Sequence, residues 1–248
     1  MAESNQGRTL DRALAILEHL STLNSPAKLS HIAKETGLHV ATAQRMLNHL
    51  IDRSYVNLTE AGYTLGAAVL PLAWAFTYQD RTSAAAFPLL TSITQSTGFT
   101  SSVFVQSGES RVLTARVEAP SPMRYQLVVG QRMGLSVGGG KVILAYMPEK
   151  ARGDFLERYE GEYLSTGVRQ TREKLESDLK TIKQQGYYLS SSERDLGTIG
   201  LTLPFWNSKG VFSGTVNVVT HDDSYSVDDI LACRRQLAEA ARMLSLQI

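Results

Sequence analysis

Thr42, Gln44 and Arg45 stand close together in a stretch with helical periodicity, and side chains of these types could read the edges of base pairs. A glutamine amide can bond adenine at two points, and an arginine fork can do the same with guanine. A second group of residues, Val137-Gly138-Gly139-Gly140-Lys141, superficially suggests a phosphate loop. A Walker loop would need glycine at Leu135 and serine or threonine at Val142, so nucleotide hydrolysis is rejected. What remains is a helix start whose bare backbone N–H groups favour an anion such as a ligand carboxylate. Arg124 and Arg132, just upstream, could clamp such a carboxylate with two-point hydrogen bonds. Ser136 and Ser190 are the candidate nucleophiles of a hydrolase. Beyond residue 66 the only histidine is His221, and there is no Gly-x-Ser-x-Gly elbow. A hydrolase-like enzyme is therefore the alternative, and no catalytic residue is assigned.

These residues need elements to hold them. Apolar residues from Leu10 to Leu20 recur at helical spacing, and Asn24-Ser25-Pro26 ends that first helix. Ser30 is placed as the N-cap of a two-turn helix that Gly37-Leu38 terminates. A third helix follows over Val40 to Arg53, with Ala43, Met46, Leu47 and Leu50 on its buried face. This is helix-turn-helix spacing, and it puts Thr42, Gln44 and Arg45 near the start of the recognition helix. Two β-like runs, Ser54 to Leu58 and Gly62 to Leu65, form a hairpin behind it, a wing.

Gly66 to Asp80 is expected to be a helix with an apolar surface that invites a partner helix. Beyond it the pattern predicts a helix over Phe87 to Ser96 and strands at Thr100 to Gln106, Arg111 to Glu118 and Tyr125 to Val129. Helices follow at Gly139 to Met147, Glu149 to Tyr159 and Thr171 to Gln185. Strands at Tyr187 to Ser191, Ile199 to Trp206 and Val211 to Val219 precede one last helix over Val227 to Ser245. Hairpins with covering helices make an α+β domain, not a doubly wound one.

In order and spacing these motifs closely resemble the isocitrate lyase regulator (IclR) family of bacterial transcription factors. The resemblance rests on Leu10-Asp11-Arg12-Ala13-Leu14, Leu29-Ser30-His31-Ile32-Ala33, Gly37 to Leu47, Gly62-Tyr63-Thr64-Leu65-Gly66, Gly140-Lys141-Val142-Ile143-Leu144-Ala145, Gln185-Gly186-Tyr187 and Gly214-Thr215-Val216-Asn217-Val218. It implies an α+β protein with an N-terminal winged helix-turn-helix (1–66), a dimerising linker helix (67–80) and a C-terminal GAF-like effector-binding domain (81–248). By analogy His39, Thr42, Gln44 and Arg45, with Tyr63 on the wing, contact DNA. The glycine loop, with Gly138 and Gly139, lines the effector pocket, and the positions of Ser190, Gly200, Asn217 and Val219 face it. Val40-Ala41 departs from the family, where a basic residue and a serine are usual. The pocket is expected to be less polar than in several members, with a larger or more aromatic ligand.

Composition bounds the rest. The chain has 248 residues, 43% hydrophobic and 20% charged, with a net charge of +1, so no basic excess announces nucleic acid. Acidic and basic residues balance over residues 1–66, which implies weak non-specific DNA binding. One cysteine, Cys233, offers neither a disulfide framework nor a thiolate metal cluster, and His19, His31, His39 and His49 lack ligand spacing. No cofactor and no metal is expected. With neither a signal peptide nor a spanning segment, a cytoplasmic location is expected. The expectation is a DNA-binding regulator, with repression favoured over activation. It would be a homodimer or homotetramer on a palindromic double-stranded operator, its affinity modulated by a small organic-acid effector, a carboxylate with an aromatic acid in view. An effector-independent DNA-binding scaffold is the remaining alternative.

Overall fold

The computed structural model describes residues 5–121 and 127–248. The chain divides into two compact units, Met1–Gln79 and Asp80–Ile248.

The first unit begins with α1 (Asn5–Ser21), which buries Ile16 and Leu20 against the other helices. Leu10 and Leu14, expected to pack inward, remain 60% and 47% exposed. α2 (Leu29–Glu35) starts one residue before the expected Ser30 cap. The cause is tertiary: Ala27 exchanges two backbone hydrogen bonds with Tyr63, so Lys28 becomes the N-cap and its carbonyl accepts from His31 and Ile32. Gly37 takes φ +64°, the left-handed conformation expected of it at the turn. α3 (Val40–Asp52) then buries Ala43, Met46, Leu47 and Leu50, the four residues its periodicity marks. β1 (Val56–Thr59) and β2 (Gly62–Leu65) form the antiparallel wing. Gly62 is required there, because a Cβ would lie 2.5 Å from the Ala27 carbonyl oxygen. α4 (Val69–Gln79) closes the unit and buries none of its residues.

The second unit is a six-stranded antiparallel sheet in the order β5-β4-β3-β10-β9-β8. Its strands are β3 (Thr100–Ser107), β4 (Ser110–Val117), β5 (Arg132–Met133), β8 (Tyr188–Ser191), β9 (Thr198–Trp206) and β10 (Phe212–His221). One face packs on α5 (Arg81–Thr97), α9 (Val227–Ala232) and α10 (Arg234–Gln247) through Leu90, Ile93, Val103, Leu201, Val218 and Leu237. The other packs on α6 (Gly140–Tyr146) and α8 (Arg172–Gln185) through Phe104, Leu113, Ile143, Leu179 and Ile182. α7 (Glu149–Arg158) and a small hairpin, β6 (Glu162–Tyr163) with β7 (Arg169–Gln170), lie between those two helices in sequence.

Three expectations need correction, and one element was not foreseen. α5 starts at Arg81, six residues before Phe87, because Asp80 caps it by accepting from the Thr82 and Ser83 N–H groups. The strand expected at Tyr125 to Val129 falls partly outside the described residues. Its described part forms no strand, Leu127 and Val128 being irregular and Val129 entering a turn, and the edge strand lies later, at Arg132–Met133. The single C-terminal helix is two, divided at Cys233. The β6–β7 hairpin, only two residues per strand, left no periodic signal.

Candidate functional site

In the first unit, α3 and the wing present the residues whose types suit DNA. His39 is the N-cap of α3; its backbone carbonyl accepts from the Thr42 and Ala43 N–H groups and its exposed side chain makes no cap bond. Gln44 donates from Nε2 to Asn48 Oδ1 at 2.8 Å and to Tyr63 Oη at 3.1 Å. The Tyr63 hydroxyl also reaches Gln44 Oε1 at 3.2 Å, while its ring sits in the core, 6% exposed. Tyr63 thus ties the wing to the recognition helix and points Gln44. Arg45 is exposed and lines a groove between α1 and α3 with Arg12, His49 and Arg53. Among the described residues it has no ion pair. The near-neutral unit therefore gathers positive charge on one flank, a placement that composition hides.

In the second unit, a cavity of about 50 Å³ lies between the sheet and the glycine loop. Strand pairing lays out its floor. Arg116, Ser102, Asn217 and Thr202 are successive cross-strand neighbours, and Val219, Gly200 and Ser190 make the adjoining row. With side chains alternating between faces, these positions point away from the α5–α10 core. Gly138 and Gly139 form the opposite wall. The structure brings six of the expected effector residues to one place: Gly138, Gly139, Ser190, Gly200, Asn217 and Val219. Arg124 lies outside the described residues. Arg132 does not line the cavity, because Met133 is paired with Arg111 and shares its face, which turns the exposed Arg132 to the other. Sequence reasoning missed the arginines that do line it, Arg111, Arg116 and Arg194. Strand alternation hid the first two. The lining is dominated by polar and charged groups.

The glycine loop is not a set of bare donors either. Gly138 N–H donates to Glu193 Oε2 at 2.8 Å, and the Gly140 and Lys141 N–H groups close turns onto Val137 and Gly138. The loop between β8 and β9, remote in sequence, carries Glu193 to this spot. Lys141, 1% exposed, is held by Glu193 at 2.9 Å, Asp178 at 2.8 Å and the Tyr188 hydroxyl at 2.9 Å. Burial would raise the Asp178 carboxyl, but hydrogen bonds from Lys141 and Lys174 outweigh it and hold the pKa below the ordinary value. Burial first, then the Glu193 charge, pushes the Tyr188 hydroxyl well above its usual range, so it stays a donor. The lysine is a structural tie between α6, α8 and the loop after β8.

Comparison with known proteins decides the family. Residues 9–59 match the IclR helix-turn-helix domain, and residues 79–246 match the C-terminal domain of the bacterial transcriptional regulator IclR. The chain belongs to the IclR family.

IclR relatives align along nearly the whole length. The HTH-type transcriptional regulator XynR of Escherichia coli (strain K12) is 24% identical over 241 residues, 96% of each chain. The p-hydroxybenzoate hydroxylase transcriptional activator of Acinetobacter baylyi is 24% identical over 247 residues, 95% of this chain and 90% of that one. A crystal structure of an IclR homologue from Microbacterium hydrocarbonoxydans, complexed with 4-hydroxybenzoate, superposes with a TM-score of 0.72 at 18% identity, covering 96% and 97% of the two chains. That likeness supports the fold. The protein is thus an IclR-family transcriptional regulator, with an N-terminal helix-turn-helix domain and a C-terminal α+β domain. Among the described residues no helix is long and apolar enough to cross a membrane, and no cluster of side chains has the make-up of a metal site. Nor does any hydrogen bond among them join Ser136 or Ser190 to His221; Ser190 Oγ instead points to the Gly200 carbonyl at 3.4 Å.

Proposed function

We propose that this regulator binds a palindromic operator as a dimer or a pair of dimers, and that a small organic acid in the cavity of the second unit sets its operator affinity. The observation that carries this reading is the convergence of the glycine loop and strands β8, β9 and β10 on one small polar cavity, in a chain that also holds a helix-turn-helix. Thr42, Gln44 and Arg45 are assigned to base edges, with His39 at the helix start beside them. Tyr63, buried as it is, positions Gln44 instead of touching DNA. Gly138, Gly139, Ser190, Gly200, Asn217 and Val219 are assigned to the effector.

Residues 67–80 serve as the linker through which two copies pair, since α4 leaves Leu70, Trp74, Phe76 and Tyr78 exposed. Such a protein works in the cytoplasm without enzymatic turnover, and repression is its favoured mode. The effector acts by binding the DNA-competent and DNA-incompetent states unequally. The p-hydroxybenzoate hydroxylase activator and the homologue complexed with 4-hydroxybenzoate keep aromatic acids in view.

The test is fluorescence anisotropy of the full chain on fragments flanking its own gene, at stated salt, beside Arg45→Ala. At least one fragment is expected to bind well above random DNA, and Arg45→Ala to weaken it by about 1–3 kcal/mol. Equal binding of every fragment and random DNA would refute the operator reading.

A further inference from the structure

α3 has two flanks beside the face it buries through Ala43, Met46, Leu47 and Leu50. On the flank toward the wing, Gln44 and Asn48 stand one turn apart and bond to each other, and the Tyr63 hydroxyl holds Gln44. On the other flank Arg45 and His49 are also one turn apart, and Arg53, the C-cap, extends the row by a further turn. At about 1.5 Å of rise per residue this row runs about 12 Å along the helix. Arg12 of α1 stands on the same groove.

Three arginines and a histidine thus line one groove, and no aspartate or glutamate lines it. Among the described residues none of these four side chains makes an ion pair or a hydrogen bond. The start of α3, by contrast, offers little to a phosphate: after His39 come Val40, 53% exposed, and Ala41. Acidic and basic residues balance over residues 1–66, so attraction to a polyanion must come from where the positive side chains gather. A helix lying in the major groove, about 12 Å wide, has a sugar-phosphate wall along either side. With the wing flank of α3 toward one wall, the α1 flank meets the other.

We propose that the groove between α1 and α3 grips the phosphodiester backbone of one DNA strand. Arg12 and Arg53 bind phosphate oxygens and the His49 ring N–H donates between them, while Arg45, nearer the helix start, reaches the bases. The proposal rests on the DNA-binding reading of the first unit, not on a palindromic operator or an effector. A guanidinium fork matches two phosphate oxygens at once. Such contacts fix where the protein sits on the duplex and carry no sequence information.

Fluorescence anisotropy of the full-length protein over a salt series tests it, on the best-binding fragment flanking its own gene and on a random-sequence duplex. Arg12→Ala and Arg53→Ala should each make the fall of log affinity with log salt shallower by about 0.9 per copy of the chain bound. Raising salt about fourfold would then cost either variant about three- to fourfold less affinity per copy than it costs the wild type. Both variants should weaken the two DNAs by the same factor and keep the base preference, whereas Arg45→Ala should relax it. Arg12→Lys keeps the charge and should keep the wild-type slope, which guards against loss of fold. Lys180→Ala, which removes a charge from the exposed face of α8, should keep it too. A wild-type slope in both alanine variants overturns the proposal, and so does a loss of affinity confined to the gene-flanking fragment. A shift toward monomer in sedimentation velocity with the slope unchanged gives the groove to a second copy and overturns it as well. If no fragment outbinds random DNA but the slope on the random duplex falls as stated, the operator reading fails and this one stands.

Discussion

Tyr63 and Gln44 fix each other across the gap between wing and recognition helix, the hydroxyl meeting both ends of the amide. Removing only that hydroxyl separates positioning from packing, because the ring remains in the core. Tyr63→Phe is expected to cost about 1 kcal/mol of stability in urea unfolding and to lower operator affinity through a Gln44 left free to rotate. Tyr63→Ala, by contrast, should cost about 3–5 kcal/mol by emptying the core site. Unchanged operator affinity and base preference in Tyr63→Phe would show that the hydroxyl does not point Gln44. Tyr63 was legible in the sequence as part of a wing, but not as a core residue, since its burial depends on Ala27 crossing to pair with it.

The glycine loop shows how one short segment serves two tasks. Gly139 has an ordinary helical φ of −59°, so its lack of a side chain relieves no backbone strain. It leaves room for the Arg111 and Thr202 side chains. Gly140 does a different job: a Cβ there would meet backbone, 2.6 Å from the Gly134 oxygen and 2.8 Å from the Leu135 Cα. The end of Arg111 can yield, the short buried Thr202 side chain only in part, and backbone not at all. Gly140→Ala is therefore expected to destabilise the protein by about 1–3 kcal/mol, whereas Gly139→Ala should lose less stability yet lose its effector response. Paired thermal melts and operator-release assays check this, and equal melting losses would contradict it. The amphipathic helices around this loop were legible because their periodicity is local. The start of α5 at Arg81 was missed through its Asp80 cap, and the division at Cys233 gives no periodic cue.

At the scale of the molecule, the exposed apolar surface of α4 is what the proposed pairing of two copies rests on. α4 leaves Leu70, Leu72, Trp74, Phe76 and Tyr78 more than half exposed, and α1 adds Leu10. Trp74→Glu with Phe76→Glu is expected to shift the protein toward monomer in sedimentation velocity and to weaken operator binding, because two half-sites are no longer engaged together. A double variant that sediments like wild type would place the pairing surface elsewhere. By itself the sequence determined the helix-turn-helix, the wing, the α+β class and the family. Those depend on short-range periodicity, glycine turns and ordered motifs, which are written along the chain. Only the tertiary structure decided which side chains meet. A single bulge at Thr114, where Val103 and Phe104 pair with Ala115 and Leu113, reversed the face of Arg116, and the loop after β8 laid Glu193 on the glycine-loop amide. Balanced charges in the first unit left Arg12, Arg45, His49 and Arg53 on one flank. Each of these is a contact between residues remote in sequence, and strand register and helix packing, not local propensity, set it.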